Sequence, residues 1–334
     1  DRLRSRGLGD VYKRQAQEPL TDYVDPRIGT AHSRWFFFTP AAVPFGMAKL
    51  APTTDGHLGN PNGWEAVGYD SRHTSIEGFA NFHEFQVGGV VVAPTVGELQ
   101  TVPGPLDNPD AGYRSRFDKK DEVARPGYYS VLLKDYGVKA ELTATERVGF
   151  HRYTFPATEE ANLIFNIGTR MGESGPVRDA SVTYTDDGRI EGWVVTEPAY
   201  VDIYQKGATV TMYFSAVLDA EPAAWGAFSG EQTFAGERSR TGVGAGLYLR
   251  FDTRERQQVG LKIGLSYTSV ENARLNLEKE AARKDFDRVR REANDTWEEA
   301  LGRLRVEGGL HDDRVKFYTC LLYTSDAADD SLRV

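Results

Sequence analysis

The residues with the greatest potential for chemistry lie close together, between positions 55 and 86 of the 334-residue chain. The cluster contains Asp55, His57, Asn60, Asn62, Trp64, Glu65, Tyr69, Asp70, His73, Asn81, His83, Glu84 and Gln86. Its first part, 55–63, is rich in Gly, Asn and Pro, which predicts a loop. A Trp on such a loop has no evident core to fill, and the face of an indole stacks well on a sugar ring. Sugar binding and core packing are therefore both open interpretations of Trp64.

Other kinds of chemistry have only partial signals. His83-Glu84 is not followed by a second histidine four residues later, and no third ligand is suggested, so the spacing predicts no metal site. Strand-like residues follow the glycines of Gly242–Gly246, which differs from a dinucleotide-binding motif, where a helix follows. No ordered Ser/His/Asp set is present. For His83, a buried structural role with hydrogen bonds is the alternative to ligand binding.

The bulk composition is that of a soluble globular protein, with 40% hydrophobic and 27% charged residues. The net charge of −9 argues against a nucleic-acid partner, because phosphate binding requires clustered Lys and Arg. The longest apolar run, Val87–Val96, is interrupted by Pro94, so no membrane partner is predicted. Cys320 is the only cysteine, which excludes an intrachain disulfide.

Most of the chain between Tyr23 and Tyr267 consists of short segments with alternating apolar residues. The clearest segments are Tyr128–Leu133, Val138–Thr145, Phe150–Phe155, Ser181–Tyr184, Ile190–Val195, Thr209–Val217 and Val259–Tyr267. Asp186-Asp187-Gly188 predicts a hairpin turn between two of them. Many strands with frequent glycine punctuation predict a mainly β fold, namely an antiparallel β-sandwich.

The pattern changes to a helical one at Thr268. Thr268 and Glu271 have the spacing of a capping box, which predicts the start of a helix. Apolar residues then recur at intervals of three and four, at Phe286, Val289, Ala293, Trp297, Ala300, Leu301 and Leu304. This spacing places them on one stripe of a helix, which must cover another apolar surface.

Several motifs occur in the order known from one enzyme family. They are Tyr23–Thr30, Val43–Met47, Gly68-Tyr69, Ile76–Phe79, Gly112–Asp118, Ala124–Val131, Ala140–Pro156, Val259–Val270 and Phe317–Thr319. Over roughly residues 20–319 the chain resembles the N-terminal domain of glycoside hydrolase family 92, a family of calcium-dependent exo-α-mannosidases. Each motif alone is a weak signal, and their common order makes the resemblance specific.

The resemblance implies a domain order. Residues 16–267 would form a β-sandwich of the supersandwich type, 268–305 a helical linker, and 306–319 the start of an (α/α)6 barrel that is otherwise missing. In the family the catalytic carboxylates and most calcium ligands belong to the barrel. No catalytic or metal-binding residue is therefore assigned here, and calcium is expected only for the full-length enzyme. Residues 1–15 and 320–334 resemble translated sequencing adapters and are predicted to be non-native tails, with the signal peptide of a periplasmic or secreted bacterial protein lost.

The resemblance also implies a substrate-binding role for Trp64, Glu65, Tyr69, His83 and Glu84. The family carries a Trp-acid pair shortly before Gly-Tyr that lines the pocket for the terminal mannose, so that Glu65 would accept hydrogen bonds from sugar hydroxyls. Where the family usually has Ser-His-Thr-His, this chain has Ala80-Asn81-Phe82-His83. Asn81 thus replaces the first histidine, which predicts an altered linkage or leaving-group specificity.

Together these expectations describe the substrate-lining domain of an inverting exo-α-mannosidase that removes terminal α-mannose from glycans, N-glycans included. Its partners would be mannose-containing glycans and the missing C-terminal barrel. Without the carboxylates of the barrel, the isolated chain is predicted to be inactive. Two alternatives stay open: a non-catalytic carbohydrate-binding domain, and a purely structural β-sandwich whose aromatic cluster packs against the barrel.

Overall fold

The computed structural model describes residues 18–31, 38–55, 68–83, 89–170, 175–198, 201 and 204–327. Within these ranges, strands extend from Ala51 to Ser266 and three α-helices follow them. The change from strand to helix after Ser266 agrees with the change from alternating to helical periodicity at Thr268.

The strands are β1 (Ala51–Thr53), β2 (Ser75–Ile76), β3 (Gly78–Ala80), β4 (Val91–Val96), β5 (Ser115–Arg116), β6 (Val123–Arg125), β7 (Tyr128–Leu133), β8 (Val138–Ala144), β9 (Val148–Thr154), β10 (Ala161–Asn166), β11 (Val177–Tyr184), β12 (Arg189–Thr196), β13 (Val210–Leu218), β14 (Ala224–Ser229), β15 (Gln232–Ala235), β16 (Ser239–Thr241), β17 (Ala245–Phe251) and β18 (Gln258–Ser266). The helices are α1 (Val270–Ala281), α2 (Phe286–Leu301) and α3 (His311–Ala327). Short 3-10 helices lie at Leu20–Tyr23, Pro109–Ala111 and Lys119–Asp121.

Two antiparallel sheets enclose the main core. The smaller sheet has the order β1-β3-β4-β10-β17-β14-β15, and the larger has the order β16-β11-β12-β13-β18-β9-β8-β7-β6. One hydrophobic cluster contains residues of both sheets, for example Leu163 and Leu247 of the smaller and Leu142 and Ile263 of the larger. The predicted mainly β, antiparallel sandwich is thereby confirmed. The described residues include no (α/α)6 barrel.

Alternation along the strands decides which side chains reach this core. In β8, Val138, Ala140, Leu142 and Ala144 are all at most 1% exposed, which confirms the face that the sequence predicts. The hairpin turn before Arg189 is also confirmed, since Tyr184 of β11 lies opposite Ile190 of β12.

The predicted N-cap of the first helix, Thr268, is wrong by one residue. Ser269 is the N-cap of α1, and its side chain accepts a hydrogen bond from the Asn272 backbone N–H at 3.1 Å. The Thr268 hydroxyl instead accepts from the Asn272 side-chain amide at 2.7 Å. Both hydroxyls are near enough to compete for this N-terminus, and sequence spacing alone does not rank them.

The predicted apolar stripe is confirmed for α2, where Val289, Ala293, Trp297 and Leu301 are buried. Val289 packs in a cluster with Phe150 of the larger sheet, so this part of the stripe covers the sandwich as expected. Leu304 does not belong to the stripe. It follows the end of the helix and is 56% exposed.

A second small core joins the N-terminal and C-terminal parts of the described chain. Leu20 and Tyr23 pack with Trp297 of α2 and with Tyr318 and Leu322 of α3. Helix α3 thus continues past the predicted boundary at residue 320, and the predicted domain limits stay predictions. Among the described residues, no helix is long and apolar enough to cross a membrane.

Candidate functional site

The structure brings Gly68 and His83 into contact. In the chain, Gly68 follows segment 56–67 and His83 precedes segment 84–88. A Cβ atom at Gly68 would lie 2.5 Å from His83 Nε2, so the imidazole packs directly on the Gly68 backbone. The φ angle of Gly68 is +73°, so both its conformation and its lack of a side chain permit this contact.

Three of the five predicted substrate-binding residues, Trp64, Glu65 and Glu84, lie outside the described residues. Their roles stay predictions. The other two, Tyr69 and His83, are both described and both buried.

His83 is an unusual polar group because its ring is buried and its two nitrogens make no hydrogen bond of normal geometry with the described residues. The residue is 3% exposed, and neither Nδ1 nor Nε2 has a partner of normal geometry in the described part of the chain. Burial lowers the pKa of His83 to about 4. Interactions of hydrogen-bond type with the backbones of Phe38 and of His83 itself oppose this shift and are smaller. The imidazole is therefore neutral at neutral pH and offers one donor and one acceptor. A buried imidazole whose two nitrogens stay unpaired costs stability.

Tyr69 is held by a buried hydrogen-bond network. Its ring stacks on Phe38 with centroids 4.0 Å apart. Its hydroxyl donates to the Glu122 carboxylate at 2.8 Å and accepts from Lys119 Nζ at 2.7 Å, while the Tyr129 hydroxyl also donates to Glu122 at 2.8 Å. Burial and the charge of Glu122 raise the pKa of Tyr69 far above its usual range, so the hydroxyl stays protonated. This network fixes Tyr69 beside Gly68, and contact with substrate stays a prediction.

A buried ion pair lies near the same region and was not predicted from the sequence. Arg114 and Glu77 are 2% and 3% exposed, and Arg114 Nη2 lies 3.0 Å from Glu77 Oε2. The Thr53 hydroxyl donates to the other carboxylate oxygen at 2.8 Å. Burial raises the pKa of Glu77, and the positive charge of Arg114 opposes this shift. The available sequence signal was a charged residue, Glu77, between the apolar residues Ile76 and Phe79. The contacts of Arg114 indicate that it stabilises the fold.

Asp55 and Arg170 form a second ion pair at the start of segment 56–67. Arg170 Nη2 lies 3.1 Å from Asp55 Oδ1, and the two side chains are 36% and 25% exposed. Asp55 has a φ of +69°, a conformation that residues other than glycine rarely adopt. Both charges act on the buried Glu77 carboxylate, which places this pair close to the Glu77–Arg114 pair.

Asn81 and His151 are buried inside the sandwich. Asn81 Oδ1 lies 2.9 Å from His151 Nε2, and Asn81 Nδ2 donates to the Val90 carbonyl at 2.7 Å. Both contacts of His151 are within the core, which indicates a structural role. Arg152, on the other side of β9, forms an ion pair with Glu141 at 2.9 Å.

The described part of the site suits binding and positioning. Its buried carboxylates are already engaged: Glu77 by Arg114 and Thr53, and Glu122 by Tyr69 and Tyr129. In the described ranges no three His, Cys, Asp or Glu side chains are grouped so that they could hold a metal ion. These residues therefore do not fit a calcium site, and we derive no chemical step through calcium from them.

Family profiles cover most of the chain. The glycosyl hydrolase family 92 N-terminal domain matches residues 23–266, and the family 92 catalytic domain matches residues 272–329. The predicted boundary after residue 267 falls between the two matches. An uncharacterized secreted glycosidase of Arthroderma benhamiae is 26% identical over 350 residues, which cover 95% of this chain and 43% of that protein.

Solved structures show the same relationship. A GH92 alpha-mannosidase from Bacteroides thetaiotaomicron, also solved in complex with mannoimidazole, is 28% identical with a TM-score of 0.81, over 91% of this chain and 40% of its own. A GH92 inverting mannosidase from the same species is 23% identical with a TM-score of 0.71, over 92% and 39% of the two chains, and shows a likeness of fold alone. The chain spans about two fifths of the length of these relatives.

Proposed function

The chain belongs to glycosyl hydrolase family 92, and from this membership we propose that it supplies the substrate-lining part of an inverting exo-α-mannosidase acting on terminal α-mannose of glycans. The observation that carries the proposal is the match of the N-terminal family profile over residues 23–266. The fold supports it, because the 28% identical structure with a TM-score of 0.81 is that of an alpha-mannosidase.

The proposed mannose site consists of Trp64, Glu65, Tyr69, His83 and Glu84. The contact between His83 and Gly68 supports this grouping, because it joins the ends of the segments on which Trp64, Glu65 and Glu84 lie. A neutral imidazole can donate one hydrogen bond and accept another, as recognition of an uncharged hydroxyl requires. Trp64 would stack on the sugar ring and Glu65 would accept from its hydroxyls.

Catalysis would require groups that the described residues do not supply. An inverting glycosidase uses one carboxylic acid to protonate the leaving oxygen and one carboxylate to activate water, with about 6.5–9.5 Å between them. We assign neither role to a residue of this chain. Calcium, which takes six to eight oxygen ligands, would likewise be bound by residues elsewhere in the full-length enzyme.

Mannose release from α-1,2-mannobiose tests the proposed activity. We expect the 334-residue chain to release no mannose above background, because the proposal assigns neither catalytic role to one of its residues. The full-length protein encoded by the parent gene should release mannose, with β-mannose as the first product seen by NMR. Turnover by the short chain, or α-mannose as the first product, would contradict the proposal.

Calorimetric titration with α-1,2-mannobiose separates the proposed site from a purely structural domain. We expect weak binding that Trp64→Ala abolishes. Trp193→Ala serves as the control, because Trp193 is a partly exposed tryptophan on β12 of the larger sheet. Binding that survives Trp64→Ala, or that Trp193→Ala weakens equally, would contradict this placement of the site.

We also propose that the full-length protein is periplasmic or secreted. The support is the Arthroderma benhamiae relative, which is described as a secreted glycosidase. Fractionation of cells that express the parent gene would test this, and enzyme found only in the cytoplasm would contradict it.

A further inference from the structure

Asn81 lies between β3 and His83, at the point where β3 ends and the connection to β4 begins. We call this point the base of the β3–β4 hairpin. Its backbone N–H donates to the Gly89 carbonyl at 3.2 Å, and its carbonyl accepts from the Lys49 N–H at 3.1 Å. The His83 N–H in turn donates to the Lys49 carbonyl at 2.9 Å. The backbone around Asn81 thus ties together both arms of the hairpin and the chain that leads into β1.

The side chain of Asn81 is part of a hydrogen-bond chain with one direction. The Val90 carbonyl can only accept, so the Asn81 amide group must donate to it, and the amide oxygen must face His151 Nε2. Nε2 therefore carries the proton, and Nδ1 accepts from the Tyr153 hydroxyl at 2.8 Å. Each of these polar groups has a partner, and Asn81 itself is 0% exposed.

This hydrogen-bond chain links the two sheets. His151 lies on β9 of the larger sheet, between Leu142 of β8 and Leu261 of β18, whereas Asn81 follows β3 of the smaller sheet. The space around the amide is filled, because a Cβ atom at Gly149 would lie 2.6 Å from Asn81 Oδ1. No room remains for a sugar beside this side chain.

The return arm of the hairpin adopts a rare conformation. Val90 has a φ of +51°, which β-branched residues seldom adopt, and it is fully buried. Such a conformation persists where surrounding contacts impose it, and the hydrogen bond from Asn81 to the Val90 carbonyl is one of these contacts.

We propose that Asn81 is a positioning residue, which locks the base of the β3–β4 hairpin so that His83 stays against Gly68, and that it makes no contact with the sugar. Its importance for mannose binding rests on the proposed function, whereas the locking does not. Asn81 in place of the usual histidine then leaves linkage specificity unchanged, contrary to the expectation from the sequence. The residue belongs to the core that holds the site.

Hydrogen exchange followed by mass spectrometry tests the locking in the full 334-residue chain. In Asn81→Ala we expect exchange in a peptide covering 82–90 to rise about tenfold more than in the rest of the chain, because local opening becomes easier. Asn162→Ala is the matched control, since Asn162 is equally buried and lies on β10, opposite Thr95 at the far end of β4. Equal changes at 82–90 in the two variants would overturn the proposal.

Two variants of His151 keep the test informative if Asn81→Ala fails to fold. His151→Gln keeps an N–H donor that can reach Asn81, whereas His151→Leu removes it. We expect His151→Gln to retain most of the protection of 82–90 that His151→Leu loses. Equal loss in both would indicate a simple packing role and overturn the proposal.

Calorimetry of Asn81→His tests the claim about specificity. We expect the ratio of the Kd values for α-1,2- and α-1,3-mannobiose to stay within about twofold of the parent ratio, since Asn81 does not face the sugar. A change of tenfold or more would overturn the proposal. If the parent chain binds neither disaccharide, the proposed mannose binding by the isolated chain fails, and the exchange experiment alone decides whether Asn81 locks the hairpin.

Discussion

His83 and His151 share burial and charge state but differ in their hydrogen bonds. They are 3% and 2% exposed, and burial lowers the pKa of His83 to about 4 and that of His151 to about 3. His151 has partners for both ring nitrogens, in Tyr153 and Asn81. The ring nitrogens of His83 make no hydrogen bond of normal geometry with the described residues.

This difference separates a group that stabilises the fold from one that the fold tolerates. A buried polar group with partners contributes modestly to stability, whereas an unpaired one costs free energy and is retained where another role requires it. Two buried histidines of the same chain can therefore have opposite effects on the stability of the fold. We assign His151 to the scaffold and His83 to the proposed mannose site.

The greatest loss of stability is expected when the buried ion pair of Glu77 and Arg114 is broken. Arg114→Met leaves the Glu77 carboxylate without its cation, so the free energy of unfolding should fall by about 3–5 kcal/mol in urea titrations. Arg116→Met is the control, because the Arg116 side chain is 44% exposed and its ion pairs lie at the surface. It should cost less than about 1 kcal/mol. Similar losses in both variants would contradict the importance of the buried pair.

Replacing each histidine by leucine tests the comparison itself. His151→Leu leaves Asn81 Oδ1 and the Tyr153 hydroxyl unpaired, and should lower the free energy of unfolding by about 3 kcal/mol. His83→Leu replaces an unpaired polar group by an apolar one, and should change it by less than about 1 kcal/mol or raise it. Equal losses of unfolding free energy in the two variants, measured by urea titration, would contradict the different roles assigned to His83 and His151.

The pH dependence of stability follows from the two lowered pKa values. Between pH 4 and 6.5 the unfolded chain binds more protons than the folded chain at these residues, so stability rises with pH in this window and is lost as pH falls. Each histidine should lower the free energy of unfolding by about 2 kcal/mol between pH 7.5 and pH 5. In urea titrations at both pH values, His83→Leu should lose about 2 kcal/mol less unfolding free energy than the parent chain between pH 7.5 and pH 5. A loss as large as in the parent would mean that His83 is not buried in the folded chain.

The contact between His83 and Gly68 should contribute the least of these interactions to the free energy of unfolding. Gly68→Ala should cost about 2 kcal/mol, partly from the positive φ and partly from the clash with Nε2. In the His83→Ala background only the conformational part should remain, about 1 kcal/mol, so a double-mutant cycle should give a coupling of about 1 kcal/mol. Additive effects in urea titrations would show that the imidazole does not press on Gly68.

Several elements could be predicted from the sequence because their signals are local. The alternation in β8 correctly identifies the face that packs in the main core, and the spacing in α2 identifies the four residues that the helix buries. Where two nearby groups compete, local patterns decide less well. Thr268 and Ser269 both lie at the start of α1, and only the structure shows that Ser269 is the N-cap.

The altered specificity that Asn81 predicts from its place in a family motif stays a prediction. The structure adds that the Asn81 side chain is buried in the core. The partner that explains it, His151, is 70 residues away in the chain. Glu77 and Arg114 are likewise 37 residues apart, so no local pattern connects them.

The sandwich, the following helices and the family could all be predicted from the chain alone, because alternation, helical spacing and motif order are properties of neighbouring residues. Which of the two buried histidines has hydrogen-bond partners could not. A hydrogen bond requires a donor and an acceptor within about 3 Å, and that distance depends on how the two sheets lie against each other. The role of His83, of Asn81 and of the Glu77–Arg114 pair is therefore a consequence of packing between distant segments.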